Sequence, residues 1–502
     1  MKKRIHFKRL FFFIIQFLFL TGIFASISSL LYLININYIY LILSLFYFIN
    51  TIFVFFIGLQ KRNYEAKLGW LYIITLFPVI GHALFFGFGW ISKNKLELKI
   101  QNDSKYKLNT YINLGLINKE NCSNELINSL SLIHQTTVKS SEYEFFKEGY
   151  RFYDKLIEDI KNAKESIYLV TYILKKSEIS KEFMHILKEK AKQGVEIKWL
   201  VDYFGAYRSQ RKLLRKLKKD GIEIQYIGKI IYPFINASSF NRNHQKFIII
   251  DSEMVFSGGN NISDEYASLS KKYGHWIDLN YKITGEYINT YILHFARFWK
   301  FITRKEIEIK RKLLKLKNNE LYTTHSILVV DSPSYSHSSS EYTWLKLISN
   351  AKKSIKISTP YFSVSEAIYK QIILALKSGV DITVFIPGLP DKKLVYQISI
   401  WQLRKLMKYG LKVRVYNEHF LHSKLGVVDD QLGWVGTNNM DSRSMYSQYE
   451  TMDVITGSAV NSIIEIFQLY NSKSTDIQDN YNLMKKYNSF ENFFFSWMKL
   501  LI

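Results

Sequence analysis

Apolar and polar positions divide this 502-residue chain into two regimes. No charged side chain occurs between Arg9 and Lys61. A helix that crosses a bilayer needs about 20 apolar residues. The run therefore predicts two spans, at about 10–33 and 38–59, with the "NIN" of Asn35, Ile36 and Asn37 as the turn between them. A third uncharged stretch, from Leu68 to Ser92, contains Pro78 and Gly81 and predicts a kinked span or a re-entrant hairpin. A cleaved signal peptide fits less well, because its apolar region is only about 7–15 residues long. Lys2, Lys3, Arg4, Lys8 and Arg9 put the N-terminus in the cytoplasm, and Lys61, Arg62 and Lys67 return there after two spans. Lys93, Lys95 and Lys99 follow the third segment, which favours a re-entrant third segment and a cytoplasmic remainder.

After a polar stretch at about 100–135 the pattern changes to alternating helices and strands. "AKESIYLVTYIL" (163–174) reads as a helix end entering a buried strand, and "AKQGVEIKWLVD" (191–202) as helix, Gly turn and strand. Both recur. "AKKSIKISTPYF" (351–362) matches the first at an offset of 188, and "LKSGVDITVFIP" (376–387) the second at 185. Order is kept and the offset drifts slowly, which marks an internal duplication. The expected fold is α/β: N-terminal transmembrane helices, then two duplicated α/β sandwich domains facing each other across one active site. The expected boundaries are a membrane region at 1–92, a linker at 93–135, and domains at 136–322 and 323–502.

Each copy carries one motif. Residues 244–261 and 422–439 both read His, one residue, Lys, four residues, Asp, six residues, Gly, a small residue, one more, Asn, at an offset of 178. Strand residues alternate faces, so His244 and Lys246 point one way, as do His422 and Lys424. Turns after the apolar runs return Asn261 and Asn439 toward the strand start. Two imidazoles, two ammonium groups and two amides would enclose a phosphate-sized anion. Lys246, Lys424, Asn261 and Asn439 would neutralise and bind the unbridged oxygens of a phosphodiester. One histidine would attack phosphorus, and the other would protonate the leaving alcohol and deprotonate the incoming one. Asp251 and Asp429 complete the motif and join the catalytic set, although their odd step from Lys suits an anchor of the turn. Asp278 and Glu450, at comparable distances beyond His244 and His422, are candidates to fix the histidine tautomers. His-x-Lys is not a metal-ligand spacing, so no metal or other cofactor is expected.

A net charge of +25 favours an anionic partner, and the apolar segments favour anionic membrane lipid over nucleic acid. The single cysteine, Cys122, excludes an intramolecular disulfide and a Cys-rich metal site. Oligomerisation is left open.

With these residues in view, "HQKFIIID…GGNN" and "HSKLGVVD…GTNN" resemble the paired HKD motifs of the phospholipase D superfamily. "RNHQKFIIIDSEMVFSGGNNISDEY" (242–266), "FLHSKLGVVDD" with "GTNNMDSRSMYSQYE" (420–450), "TPYF" (359–362) and the stretch 69–89 are similar to bacterial cardiolipin synthases. The resemblance runs from about residue 37 to 455. It implies condensation of two phosphatidylglycerol molecules into cardiolipin and glycerol, with His244 as nucleophile and His422 as acid/base. Gln245 stands where Arg is common, and Thr437 where Ser is usual but with its hydroxyl kept. The ending "FENFFFSWMKLLI" departs from the family's usual one. A phospholipase D-type hydrolase, a transphosphatidylase using another alcohol, and a membrane-tethered nuclease are the alternatives.

Overall fold

A computed structural model describes residues 36–60, 64–89, 93–230, 237–267, 269, 275–313 and 322–499. The expected span at 10–33 lies outside them. The chain divides into two compact units: one holds residues up to Ser92 together with Lys229–Phe240, the other Lys93–Gly228 and Asn241–Leu500.

In the first unit, α1 (Ile36–Leu59) exposes most of its apolar side chains, Tyr40 and Phe55 among them. A helix apolar all round is stable with lipid, not water, against it. Within α1, Tyr38–Leu59 is, among the described residues, the one stretch of helix long and apolar enough to cross a membrane. The third apolar segment is not a single span. It forms α2 (Tyr64–Leu76) and α3 (Pro78–Leu84), and α3 runs into one π-helical turn at Phe85–Gly89. The break falls at Phe77, whose non-helical backbone (φ −127°, ψ 69°) precedes Pro78 at the first turn of α3. A Cβ on Gly81 would lie 2.6 Å from the carbonyl oxygen of Ile73, so glycine lets α3 fold back closely on α2. Ile57, Ile74 and Phe85 form a small core with Trp70 and Phe53.

The second unit is built on one long sheet. The first half contributes β1 (Lys139–Phe146), β2 (Ser166–Thr171), β3 (Glu196–Asp202), β4 (Glu223–Ile227), β5 (Phe247–Ile250), β6 (Met254–Gly258) and β7 (Asn280–Thr284). The second half contributes β8 (Thr324–Asp331), β9 (Ser354–Ser358), β10 (Asp381–Pro387), β11 (Lys412–Tyr416), β12 (Leu425–Val428), β13 (Leu432–Gly436) and β14 (Gln448–Thr456), with β15 (Ser474–Asp476) at its edge. The order is β15-β11-β10-β9-β12-β13-β14-β8-β1-β7-β6-β5-β2-β3-β4. Read outward from the β8–β1 junction the two halves repeat strand for strand, which is the duplication expected from the sequence. The runs "FIII" and "LGVV" after each His-Lys pair are buried central strands, β5 and β12.

The halves are fused rather than merely facing. β1 pairs antiparallel with β8 through Lys139–Ser141 and with β7 through the rest of its length. The stretch 93–135, expected as a linker, is folded into this unit. Ile100, Tyr106, Leu108, Tyr111 and Ile117 join a core shared by both halves, and Ile127 and Leu130 join the core of the second half. Its apolar residues recur at short helical spacing within a polar context, so the polar majority hid the face that packs. The Asp453 carboxylate on β14 accepts hydroxyls from Tyr281, Tyr287 and Tyr291 of the first half at 2.5–3.0 Å.

Asp453→Ala would leave three buried hydroxyls without an acceptor. Each such group costs about 1–3 kcal/mol, so the variant is expected to lose at least about 3 kcal/mol of stability. The thermal midpoint of the detergent-solubilised protein, beside wild type, measures this.

Candidate active site

Two short parallel bridges between the halves build the site. Arg242–Asn243 pairs with Gln448–Tyr449, and Phe420–Leu421 pairs with Trp276–Ile277. Each bridge ends at a histidine: the His244 N–H donates to the Tyr449 carbonyl at 2.9 Å, and the His422 N–H to the Ile277 carbonyl at 2.7 Å. The residue after each acceptor is a carboxylate. His244 Nδ1 lies 2.9 Å from Glu450, and His422 Nδ1 lies 2.6 Å from Asp278 Oδ2. The carboxylates that meet the histidines are thus the two singled out in the sequence, with their partners exchanged. Asp278 serves the histidine of the other half, and so does Glu450, because the bridges run across the junction. Tautomers follow: each Nδ1 carries the proton facing its carboxylate, and each Nε2 presents a lone pair.

Both carboxylates are held by further contacts. Glu450 also accepts from the hydroxyls of Thr437 at 2.6 Å and Ser444 at 2.8 Å. The Thr437 hydroxyl therefore serves Glu450. At the matching position in the first half stands Gly259, where a Cβ would lie 2.1 Å from Asp278 Oδ1. The small residue after each motif glycine is set by the carboxylate packed beside it.

Both lysines are buried next to the histidines. Lys246 Nζ donates to the His244 carbonyl at 2.5 Å and lies 5.3 Å from the Tyr172 ring centre. Lys424 Nζ bonds the His422 carbonyl and lies 2.9 Å from His422 Nδ1. Burial, and the like charge of Lys246 and Lys424, hold His244 well below its ordinary pKa. Burial and Lys424 lower His422 to about 4, against the pull of Asp278. Each histidine feels the lysine of the other motif, so all four groups share one electrostatic site. Burial lowers Lys246 to about 7 and Lys424 to about 8, although Glu450 and Asp278 pull both upward. Burial lifts Glu450 to about 7. Burial also pushes on Asp278, but Lys424 and His422 hold its carboxyl below the usual range.

The motif asparagines are buried with one amide hydrogen each engaged. Asn261 Nδ2 donates to the Tyr266 hydroxyl at 2.6 Å while its Oδ1 accepts from the Ile173 N–H. Asn439 Nδ2 lies 3.4 Å from Ser444 Oγ. Asp251 and Asp429, counted with the catalytic set on their motif, lie beyond the far ends of β5 and β12. Asp251 accepts the N–H groups of Lys164, Glu165 and Ser166 at 2.8–2.9 Å, and Asp429 those of Lys352, Lys353 and Ser354 at 2.7–2.9 Å. With φ of 50° and 53° they anchor turns. Aromatic walls were not foreseen: Tyr172 packs 5.1 Å from the His244 ring, and Trp276 and Tyr266 pack 5.3 and 5.7 Å from the His422 ring. Trp276 stands two residues before Asp278, and Tyr266 five after Asn261, so both were close in sequence to residues already singled out.

Known proteins resemble the chain over most of its length. The family described as "Cardiolipin synthase, PLD-like domain" matches residues 156–299 and 344–470. A cardiolipin synthase of Staphylococcus aureus is 31% identical over 419 residues, 80% of this chain and 84% of that protein. One from Halalkalibacterium halodurans is 30% identical over 412 residues, covering 80% and 82%. Among solved structures, phosphatidylserine synthase from Haemophilus influenzae Rd KW20 shares the fold, with a TM-score of 0.56 and 17% identity over 75% of this chain and 97% of that one.

Two outcomes follow for the site. An oxyanion of fixed charge such as tungstate needs both ammonium groups protonated, and they lose their protons as pH rises through about 7 and 8. Its affinity, measured by calorimetry, should be high at pH 6 and fall at least about tenfold by pH 9. Gly259→Ala should displace Asp278 and lower turnover about tenfold or more, while circular dichroism stays native.

Proposed function

The chain belongs to the cardiolipin synthase family of phospholipase D-like proteins, and from that premise we propose that it joins two phosphatidylglycerol molecules into cardiolipin, releasing glycerol. The observation that carries this reading is the crosswise pair of histidine–carboxylate contacts around two buried lysines. It supplies a nucleophile, an acid/base and a phosphate cradle in one place.

The first phosphatidylglycerol seats its phosphate between Lys246 and Lys424, with the remaining amide hydrogens of Asn261 and Asn439 as further donors. The bound anion offsets the two positive charges that depress the histidines, so anion binding and protonation of His422 are coupled. His244 is the better nucleophile because it is held neutral most strongly. His422, beside an ionised Asp278, is the better imidazolium. His244 Nε2 attacks phosphorus, the P–O bond to glycerol breaks, and His422 gives its proton to the departing oxygen. The product is a phosphatidyl-histidine and free glycerol. The glycerol hydroxyl of a second phosphatidylglycerol then loses its proton to His422 and attacks phosphorus. The P–N bond breaks, cardiolipin leaves and His244 is again neutral. Transfer outruns hydrolysis because the aromatic walls and burial shield the intermediate from water.

Membrane attachment supports a lipid substrate. α1 crosses the bilayer, the uncharged run at about 10–33 is by its sequence long enough for a second span, and α2 with α3 forms a re-entrant hairpin. The whole is a multi-pass membrane protein with its catalytic unit on the cytoplasmic side.

The test is product analysis by mass spectrometry on phosphatidylglycerol vesicles. Wild type should give cardiolipin and glycerol in equal amounts, in chelator as in buffer. His244→Ala and His422→Ala should abolish both products, and Glu450→Gln or Asp278→Asn should slow them by about 10²–10⁴-fold. Phosphatidic acid in place of cardiolipin would make the protein a hydrolase.

A further inference from the structure

The ending of the chain, which departs from the family's usual one, contains a helix that the reaction does not use, Ser489–Lys499. A reciprocal cap fixes its start. The Glu491 N–H donates to Asn488 Oδ1 at 2.7 Å, and the Asn488 N–H to Glu491 Oε2 at 2.9 Å. One side of the helix is docked on the helix Lys393–Met407. Phe495 is buried there with Ile398 and Trp401, and the Trp401 indole N–H donates to Asn492 Oδ1 at 3.0 Å. Arg404 ties down the approach to the helix by donating to the carbonyls of Leu483, Met484 and Lys485 at 2.7–3.3 Å.

The apolar surface of this helix is wider than its docking needs. A helix advances about 100° per residue. Met498 and Phe495 mark the arc that packs. Phe493, Trp497, Phe490 and Phe494 share the adjoining arc, about 100° wide. Asn488, Asn492, Ser496 and Lys499 close the circle as a polar stripe. A helix that packs only on its own protein shows one such apolar arc and is polar elsewhere. On the second arc Phe490 is 72% and Phe493 69% exposed, with Phe494 and Trp497 half-buried beside them. The Phe490 ring stacks 6.4 Å from that of Phe494, so exposed and packed rings form one continuous surface.

Charge identifies what covers it. From Asn480 to Lys499 the chain holds three lysines, Lys485, Lys486 and Lys499, and one acid, Glu491, whose carboxylate is turned back into the cap. Lys485 and Lys486 are exposed just before the helix, and Lys499 lies in its last turn. Cations therefore flank the aromatic arc at both ends. Protein–protein contact surfaces are depleted in lysine, whereas aromatic rings bordered by lysines suit the boundary between acyl chains and anionic headgroups. Eleven residues are too few to cross a bilayer, so such a helix lies along it.

We propose that the helix Ser489–Lys499 docks in the plane of an anionic phospholipid surface, with Phe490, Phe493 and Trp497 below the headgroups and Lys485, Lys486 and Lys499 against them. It is a membrane contact separate from α1, and it belongs to the unit that carries the histidines. It takes no part in bond changes and does not rest on the transfer reaction.

The test uses the full-length protein with Cys122→Ala, in nanodiscs of phosphatidylglycerol and phosphatidylcholine that contain lipid with a nitroxide near the headgroup. A fluorophore sensitive to polarity is attached to Phe490→Cys, Phe493→Cys or, on the polar stripe, Ser496→Cys. Emission at 490 and 493 should shift to the blue and be quenched by at least about half, with at most about a third of that quenching at 496. Replacing phosphatidylglycerol by phosphatidylcholine, or Lys485 and Lys486 by Gln, should weaken quenching at 493 at least about twofold. Quenching at 490 and 493 no stronger than at 496 would overturn the proposal. So would a blue shift without quenching, which would mean that protein covers the arc. Insensitivity to both replacements would overturn the role of the lysines. None of these readouts needs turnover, so they stand apart from any failure of the transfer reading.

Discussion

The hydrogen bonds from His244 to Glu450 and from His422 to Asp278 are the contacts on which the rest of the second unit depends. Neither can form within one half. Each needs a two-residue parallel bridge across the junction to bring a backbone acceptor, and then a carboxylate, up to the histidine. The same crosswise logic recurs away from the chemistry, where Asp453 gathers three tyrosines from the opposite half. Packing between the halves and preorganisation of the imidazoles are therefore one requirement, met by one set of contacts.

Within that frame the electrostatics follow from burial. Two ammonium groups and two imidazoles share a water-poor site, which penalises every positive charge in it. The histidines stay neutral, and the lysines give up their protons as pH rises through about 7 and 8. An arriving anion relieves all four at once. The resting site is thus tuned to a negatively charged group, and the chain's surplus of basic residues favours such groups as partners.

Much of this was legible in the sequence because it is local. The motif spacing, the apolar runs after each lysine and the slow drift between copies announced a duplicated α/β unit with two strand-borne His-Lys pairs. Asp278 and Glu450 were visible as candidates, but their partners were not, since pairing across the junction leaves no trace in spacing along the chain. The Asp of each motif sits close to the His-Lys pair in sequence and at the opposite end of the strand in space, where it collects backbone N–H groups. Thr437 showed its hydroxyl but not that hydroxyl's direction. The folded stretch 93–135 was hidden by its polar majority, and the third apolar segment showed its Pro break but not how closely Gly81 would fold it back.

The near-repetition of the two halves has a further consequence. A symmetric pair of identical half-chains would offer the same strand order and the same crossed contacts, but it would be bound to treat its two ends alike. Covalent fusion lifts that bond. Asp can stand at one end and Glu at the other, and Gly259 can answer Thr437. Each end of the site can then be tuned by its own substitutions, which two copies of one half-chain cannot do.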